Sequence, residues 1–139
     1  MQDVKTDELK NAPADVLATV LTKILIEKKG LDIRLYNVGE KNPITSYYLN
    51  ATGRSLTHVA SLADDLVYLA EQKGKDAIHV EGKRGAGWIL VDFADVIVNI
   101  FDGPSREFYN FDRLLPSETQ IDITPLVEEV DIKMQTAKE

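Results

Sequence analysis

The sequence predicts a single-domain α/β protein, a mixed sheet flanked by helices, and three observations make that prediction. Apolar residues recur at four-residue spacing in two separate stretches, β-branched and alternating runs lie between and after them, and Gly, Pro, Asn and Asp punctuate the joins. The resulting order is helix, two strands, helix, three strands, helix. With 139 residues, 44% of them hydrophobic and 28% charged, the chain is long enough to bury one substantial core and is read as a soluble globular domain.

A polar segment, residues 1–12, precedes Pro13, which opens the first helix. Val16/Leu17, Val20/Leu21 and Ile24/Leu25 are its apolar stripe, and Lys28, Lys29 and Gly30 end it. Leu31-Asp32-Ile33-Arg34-Leu35 alternates as a strand, and Asn42-Pro43 closes a loop before a second strand, Ile44 to Ala51, with Thr45, Tyr47 and Tyr48. Thr52-Gly53-Arg54-Ser55 then breaks the chain. Ser55 is the expected N-cap of a second helix carrying Val59, Leu62, Ala63, Leu66 and Leu69/Ala70 as far as Gly74. Three strands follow, Ala77 to Glu81, Gly87 to Asp92 and Asp95 to Phe101, separated by a glycine-rich loop and a tight Phe93-Ala94 connection. Asp102-Gly103-Pro104-Ser105 starts a last helix with Phe108, Phe111 and Leu115 on one side, and Pro116 stops it. The domain so defined covers residues 13–116. Residues 117–139 are acidic and read as a helix-poor, mobile tail with some locally packed apolar residues.

The net charge of −7 disfavours broad binding to naked nucleic acid, where affinity comes from Lys and Arg neutralising phosphates, and favours a basic protein partner. Six acids against two lysines from Ser117 onward place four of those seven charges in the tail. With no cysteine there is no disulfide, thiolate nucleophile or Cys-ligated metal centre, as suits a reducing compartment. The first dozen residues carry neither a secretory nor a transit pattern, and the apolar runs fall far short of the roughly 20 residues that span a bilayer. A cytoplasmic protein that does not enter the membrane is the expectation.

The most informative stretch runs from Gly82 to Asp95 and holds the only tryptophan. Strand alternation puts Trp88, Leu90 and Asp92 on one face and Ile89, Val91 and Phe93 on the other, so one face is wholly apolar while the tryptophan face ends in a charge. Trp88 belongs either to the core or to a partner contact, where it would be the aromatic centre of a polar-rimmed hot spot. Asp92 and Asp95 either cap a turn, bind a metal or face a partner, because an unpaired buried carboxylate is costly. Thr52-Gly53-Arg54-Ser55 has the position of an anion site but lacks the further glycines and the Lys of a P-loop, and an ordinary helix start is the better account. His58 and His79 have no Ser or Cys nucleophile in an elbow motif and read as structural or surface residues; His79 and Glu81 share a strand face and would sense pH only if buried together. A Mg-dependent phosphoryl or nucleotidyl transferase would need an acidic pair on the strand after the Gly-Ser turn, and Ala77-Ile78-His79-Val80-Glu81-Gly82 offers only Glu81.

From about Pro13 to Leu115 the chain resembles the ribosomal silencing factor, or Iojap, family. The resemblance rests on an ordered set: Thr52-Gly53 with Ser55 and Val59, Ala63-Asp64, Val80-Glu81-Gly82, Trp88-Ile89-Leu90-Val91-Asp92, Asp95-Val96-Ile97-Val98, and Ser105-Arg106 with Tyr109. It implies a nucleotidyltransferase-like fold without catalytic residues, metal or cofactor. It implies further a translational silencer that binds the large ribosomal subunit through ribosomal protein L-fourteen and sterically blocks joining of the small subunit, in a bacterial cytoplasm. A large-subunit assembly adaptor, as among organellar relatives, and the Mg-dependent enzyme are the alternatives. Carried over, the partner-binding surface comprises Glu81, Trp88, Leu90, Asp92, Asp95, Arg106 and Tyr109, and the free protein is expected to form a homodimer through its exposed apolar surface. Four positions depart from the family pattern: Ser46 for Asp, Ala94 for Gly, Asn99 for His and Leu115 for Trp. Ala94 puts the turn in question, since a residue held at positive φ there loses roughly 1 kcal/mol relative to Gly. The tail after Pro116 is expected to lie beyond the common core.

Overall fold

In a computed structural model, which describes residues 5–39 and 41–138, the two long apolar stripes form α1 (Ala14–Glu27) and α2 (Leu56–Gln72). In α1 the buried positions are Leu17, Ala18, Leu21, Thr22, Ile24 and Leu25, while Val16 faces out. In α2 they are Val59, Ala60, Leu62, Ala63, Leu66 and Ala70. The expected cap is present: the Ser55 hydroxyl accepts from the His58 backbone N–H at 3.1 Å. His58 also clamps the helix start from outside, accepting from Arg54 N at 2.9 Å through Nδ1 and donating through Nε2 to Lys28 O, 3.1 Å away. The Thr-Gly-Arg-Ser turn is therefore a helix start. Its glycine is fixed by packing, because a Cβ at Gly53 would lie 2.8 Å from the backbone N and Cγ2 of Val59.

The strands are β1 (Leu31–Asn37), β2 (Tyr47–Gly53), β3 (His79–Glu81), β4 (Trp88–Asp92), β5 (Val96–Asp102) and β6 (Gln120–Ile121). They form one mixed sheet in the order β3-β4-β5-β2-β1-β6, with β2 and β5 parallel and every other pair antiparallel. Leu35, Leu49, Ala51, Ile89, Val91, Val96, Val98 and Ile100 point to one face, where α1 and α2 bury them. Strand register places Arg34, Tyr36, Tyr48, Asn50, Thr52, Trp88, Leu90, Asp92, Ile97, Asn99 and Phe101 on the other. That face is left largely to short elements, α3 (Gly103–Tyr109) and a 3-10 turn (Phe111–Leu114).

Three expectations are corrected. The last helix predicted to reach Pro116 stops at Tyr109, because Asn110 turns left-handed at φ 48°, and Phe108 is left 81% exposed instead of packed. Residues 117–138 are not helix-poor: after a 3-10 turn (Ser117–Thr119), β6 pairs with β1, and α4 (Thr124–Lys138) lies along α1. Val130 is buried in that contact and Lys23 pairs with Glu129. Asp122, which accepts from Thr124 N at 3.0 Å, followed by Thr124 and Pro125, was the helix-start signal, and Ile123, Leu126/Val127, Val130 and Met134 are a helical stripe; the high charge of the segment masks both. Of the polar N-terminal segment, residues 1–4 lie outside the described residues, and residues 5–12 do not stand apart from the domain. Leu9 inserts into the core at 1% exposure, its N–H donates to Lys73 O at 2.8 Å, and Glu8 pairs with Lys73 at 2.9 Å.

The tight connection between β4 and β5 holds Ala94 at φ 73°, a conformation that L side chains other than Asn and Asp rarely adopt. Asp92 supports it by accepting from Ala94 N at 2.7 Å, and Phe93 N closes the hairpin on Val96 O at 2.9 Å. Ala94→Gly is expected to raise stability by about 0.5–1 kcal/mol in urea titration, the relief of the strained φ outweighing the added freedom of the unfolded chain. Equal or lower stability in the glycine variant would contradict strain at this turn.

Candidate functional site

On the open face of the sheet, β4 sends Trp88, Leu90 and Asp92 outward, all half-buried, and Ile89 and Val91 inward, both buried. Trp88 is therefore neither a core residue nor a free one. Its indole lies on Phe101 of the neighbouring strand at 4.9 Å between ring centroids, Tyr109 of α3 flanks it at 4.9 Å, and Phe111 stands at 6.1 Å. Tyr109 is 51% exposed and extends the aromatic surface outward, with Phe108 edge-on against it.

Glu81, Gly82, Ala86, Gly87, Trp88, Leu90, Ser105 and Tyr109 line a groove of about 360 Å³ beside this indole. The glycines bring its walls together. Gly82 has φ 107°, and a Cβ there would lie 2.6 Å from Trp88 O; a Cβ on Gly87 would collide with the Ser105 hydroxyl. These contacts give the Val-Glu-Gly triplet and the glycine before Trp88 a structural basis.

Four of the seven residues expected at a docking surface thus converge: Glu81, Trp88, Leu90 and Tyr109. Asp92 and Asp95 do not join them. Asp92 stands at the other end of β4, about 13 Å along the strand from Trp88 by strand rise, and serves its turn; Asp95 is exposed just beyond, its carbonyl accepting from Ser46 N and Tyr47 N. His79 and Glu81 do pair, at 2.9 Å, but both side chains are more than half exposed, so this is no buried pH sensor. Arg106 requires correction. Only 8% exposed, it lies behind the face rather than on it, with Nε and Nη2 donating to Asp112 at 3.0 and 3.2 Å and Nη1 donating to Asp32 O and Thr52 Oγ1 at 2.7 and 2.9 Å.

Arg106 belongs to a buried polar chain that runs under the aromatic surface. Trp88 Nε1 donates to Asn99 Oδ1 at 3.0 Å, Asn99 Nδ2 to Asn50 Oδ1 at 3.1 Å, and Asn50 Nδ2 to Asp112 Oδ1 at 3.0 Å. Tyr36 also donates to Asp112, at 3.0 Å. Burial acts to raise the Asp112 carboxyl, but hydrogen bonds from Arg106, Asn50 and Tyr36, with the Arg106 charge, outweigh it and hold the group below its ordinary value. Burial, together with the same carboxylate, raises the Tyr36 phenol. Among the described residues, no buried side-chain polar atom lacks a partner. Of this chain the sequence pointed only to Trp88 and Arg106 as functional. The available signal was a pair of asparagines, Asn50 and Asn99, set within apolar strands where each amide must find a partner.

Among the described residues, no three His, Asp or Glu side chains are arranged to hold a metal ion, and no helix is long and apolar enough to cross a membrane.

Residues 10–139 match a family model described as "Ribosomal silencing factor during starvation". The match includes β6 and α4, so the tail lies within the family's common region. A protein of Haemophilus influenzae named ribosomal silencing factor RsfS is 35% identical over 98 residues, covering 70% of this chain and 96% of that one. A protein of Arabidopsis thaliana named Iojap-related, mitochondrial, is 37% identical over 73 residues, half of this chain and 40% of that one. In three dimensions, the crystal structure of a Chromobacterium violaceum protein superposes with a TM-score of 0.71 at 25% identity, covering 75% of this chain and 87% of that chain.

Proposed function

The chain belongs to the ribosomal silencing factor family, and from that premise we propose that it is a non-enzymatic translational silencer, cytoplasmic in a bacterial cell. It binds the large ribosomal subunit through ribosomal protein L-fourteen and blocks joining of the small subunit by occlusion. The observation that carries this reading is the half-buried Trp88, seated on Phe101, flanked by Tyr109 and bordering a groove. An aromatic anchor at a partly desolvated site with a polar rim is the arrangement expected of a binding hot spot. Occlusion needs no turnover, which accords with a site built from aromatic, glycine and rim residues.

The charge supports a basic protein partner. Glu81 at the groove, with Asp92 and Asp95 farther along the strand, offers negative charge that would steer encounter and register, whereas Trp88 and Leu90 would supply the contact energy.

Sucrose-gradient sedimentation of purified subunits tests the proposal. The protein should co-migrate with the large subunit and reduce the fraction of joined ribosomes. Binding without reduced joining would favour an assembly role instead, and no binding would reject the ribosome as partner.

A further inference from the structure

The hydrogen bonds beneath Trp88 have a direction. An ionised carboxylate only accepts, so Asp112 requires Asn50 to present its NH2 group to it. Asn50 must then turn its oxygen toward Asn99, and Asn99 turns its NH2 toward Asn50 and its oxygen toward the indole. The indole N–H, which can only donate, meets the one group on this path that can receive it. Were the Asp112 end reversed, both amides would flip and place an NH2 against the indole N–H. Arg106 fixes that end by occupying both Asp112 oxygens. Asn50 and Asn99 are 0% and 1% exposed, so water does not substitute for either amide.

We propose that Asn99, Asn50 and Asp112 are positioning residues for docking: the charge of Asp112, relayed through two oriented amides, presents an acceptor under Trp88 and locks its indole in the orientation that a partner meets. Asn99 touches the anchor and the other two act through it. An indole held before binding loses less freedom on binding, which is where such a residue adds affinity. The inference rests on the proposed docking role of Trp88, but its first arm is independent of any ribosome.

That arm is time-resolved fluorescence anisotropy of the free protein, in which Trp88 is the only tryptophan. Asn99→Leu removes the acceptor at similar volume, and a fast local motion of the indole should appear. Asn99→His, which again offers one acceptor toward Trp88 and one donor toward Asn50, should leave the indole as still as in the parent. The second arm is co-sedimentation with large subunits: Asn99→Leu should bind about tenfold more weakly, the equivalent of one hydrogen bond, and Asn99→His near the parent value. Should Asn99→Leu fail to fold, Trp88→benzothienylalanine keeps the ring shape and half-buried position but replaces the N–H with sulfur, and should reproduce both effects. An indole equally immobile in Asn99→Leu or the benzothienyl variant overturns the positioning role, as does equal weakness of the Leu and His variants. If the parent does not bind large subunits while the anisotropy contrast holds, the docking reading fails and the positioning of the indole stands.

Discussion

Replacing Arg106 by Leu is expected to lower stability by about 3–5 kcal/mol, because it strips the charged partner from a carboxylate that stays buried. The Arg106 side chain is 9% exposed and that of Asp112 is 12% exposed, so neither is a surface pair worth a fraction of a kilocalorie. Its four hydrogen bonds tie α3 to Asp112 in the following turn, to Thr52 of β2 and to the carbonyl of Asp32, whose left-handed φ of 44° marks an irregularity in β1. One substitution therefore loosens three elements on the open face. Urea unfolding measures it, and a loss below about 1 kcal/mol would show that the network does not hold this face.

The pH dependence gives a second reading of the same pair. Because the folded carboxyl of Asp112 is depressed below its ordinary value of 3.8, it contributes stability above that pH and loses it as pH falls through the folded value. Part of the acid destabilisation of the parent, below about pH 4, should therefore be missing in Arg106→Leu. Parallel acid limbs in the two proteins would contradict the assignment.

Truncating the anchor tests the docking face itself. Trp88→Ala is expected to weaken binding to the large ribosomal subunit by about 2 kcal/mol or more, roughly thirtyfold, as for a central aromatic in an interface. The variant should stay folded, since Ile89, Val91 and Phe93 on the opposite face keep β4 in the core at 4% exposure or less. The comparison is co-sedimentation beside a thermal melt of the same preparation. Unchanged affinity would remove Trp88 from the interface, and an unfolded variant would make it a structural residue.

The folding code along α1, α2 and β4 was legible because each is a local period. Leu17, Leu21 and Leu25 lie on one helical face whatever they pack against, and Ile89, Val91 and Phe93 alternate with Trp88, Leu90 and Asp92 on any strand. The tight Phe93-Ala94 connection was legible from the strands on either side, and the family's glycine at that position flagged the positive φ observed at Ala94. Legibility ended where a local signal was outweighed or overruled. In α4 the charges masked a sparse stripe whose mate is α1, and in α3 Asn110 turned the chain before the apolar spacing ran out.

The α/β class, the two faces of β4, the family, and Trp88 with Leu90 and Glu81 as residues of one surface could be read from the chain alone. It took the folded arrangement to show that Arg106 supports that surface from within, that Asp92 serves its turn, and that Asn50, Asn99 and Asp112 connect to the indole. The reason is that spacing along the chain fixes which way a side chain points but not which strand lies beside it. Asn50 meets Asn99 because β2 pairs in parallel with β5, and Asp112 reaches Asn50, 62 positions away, because a left-handed Asn110 folds the chain back over the sheet.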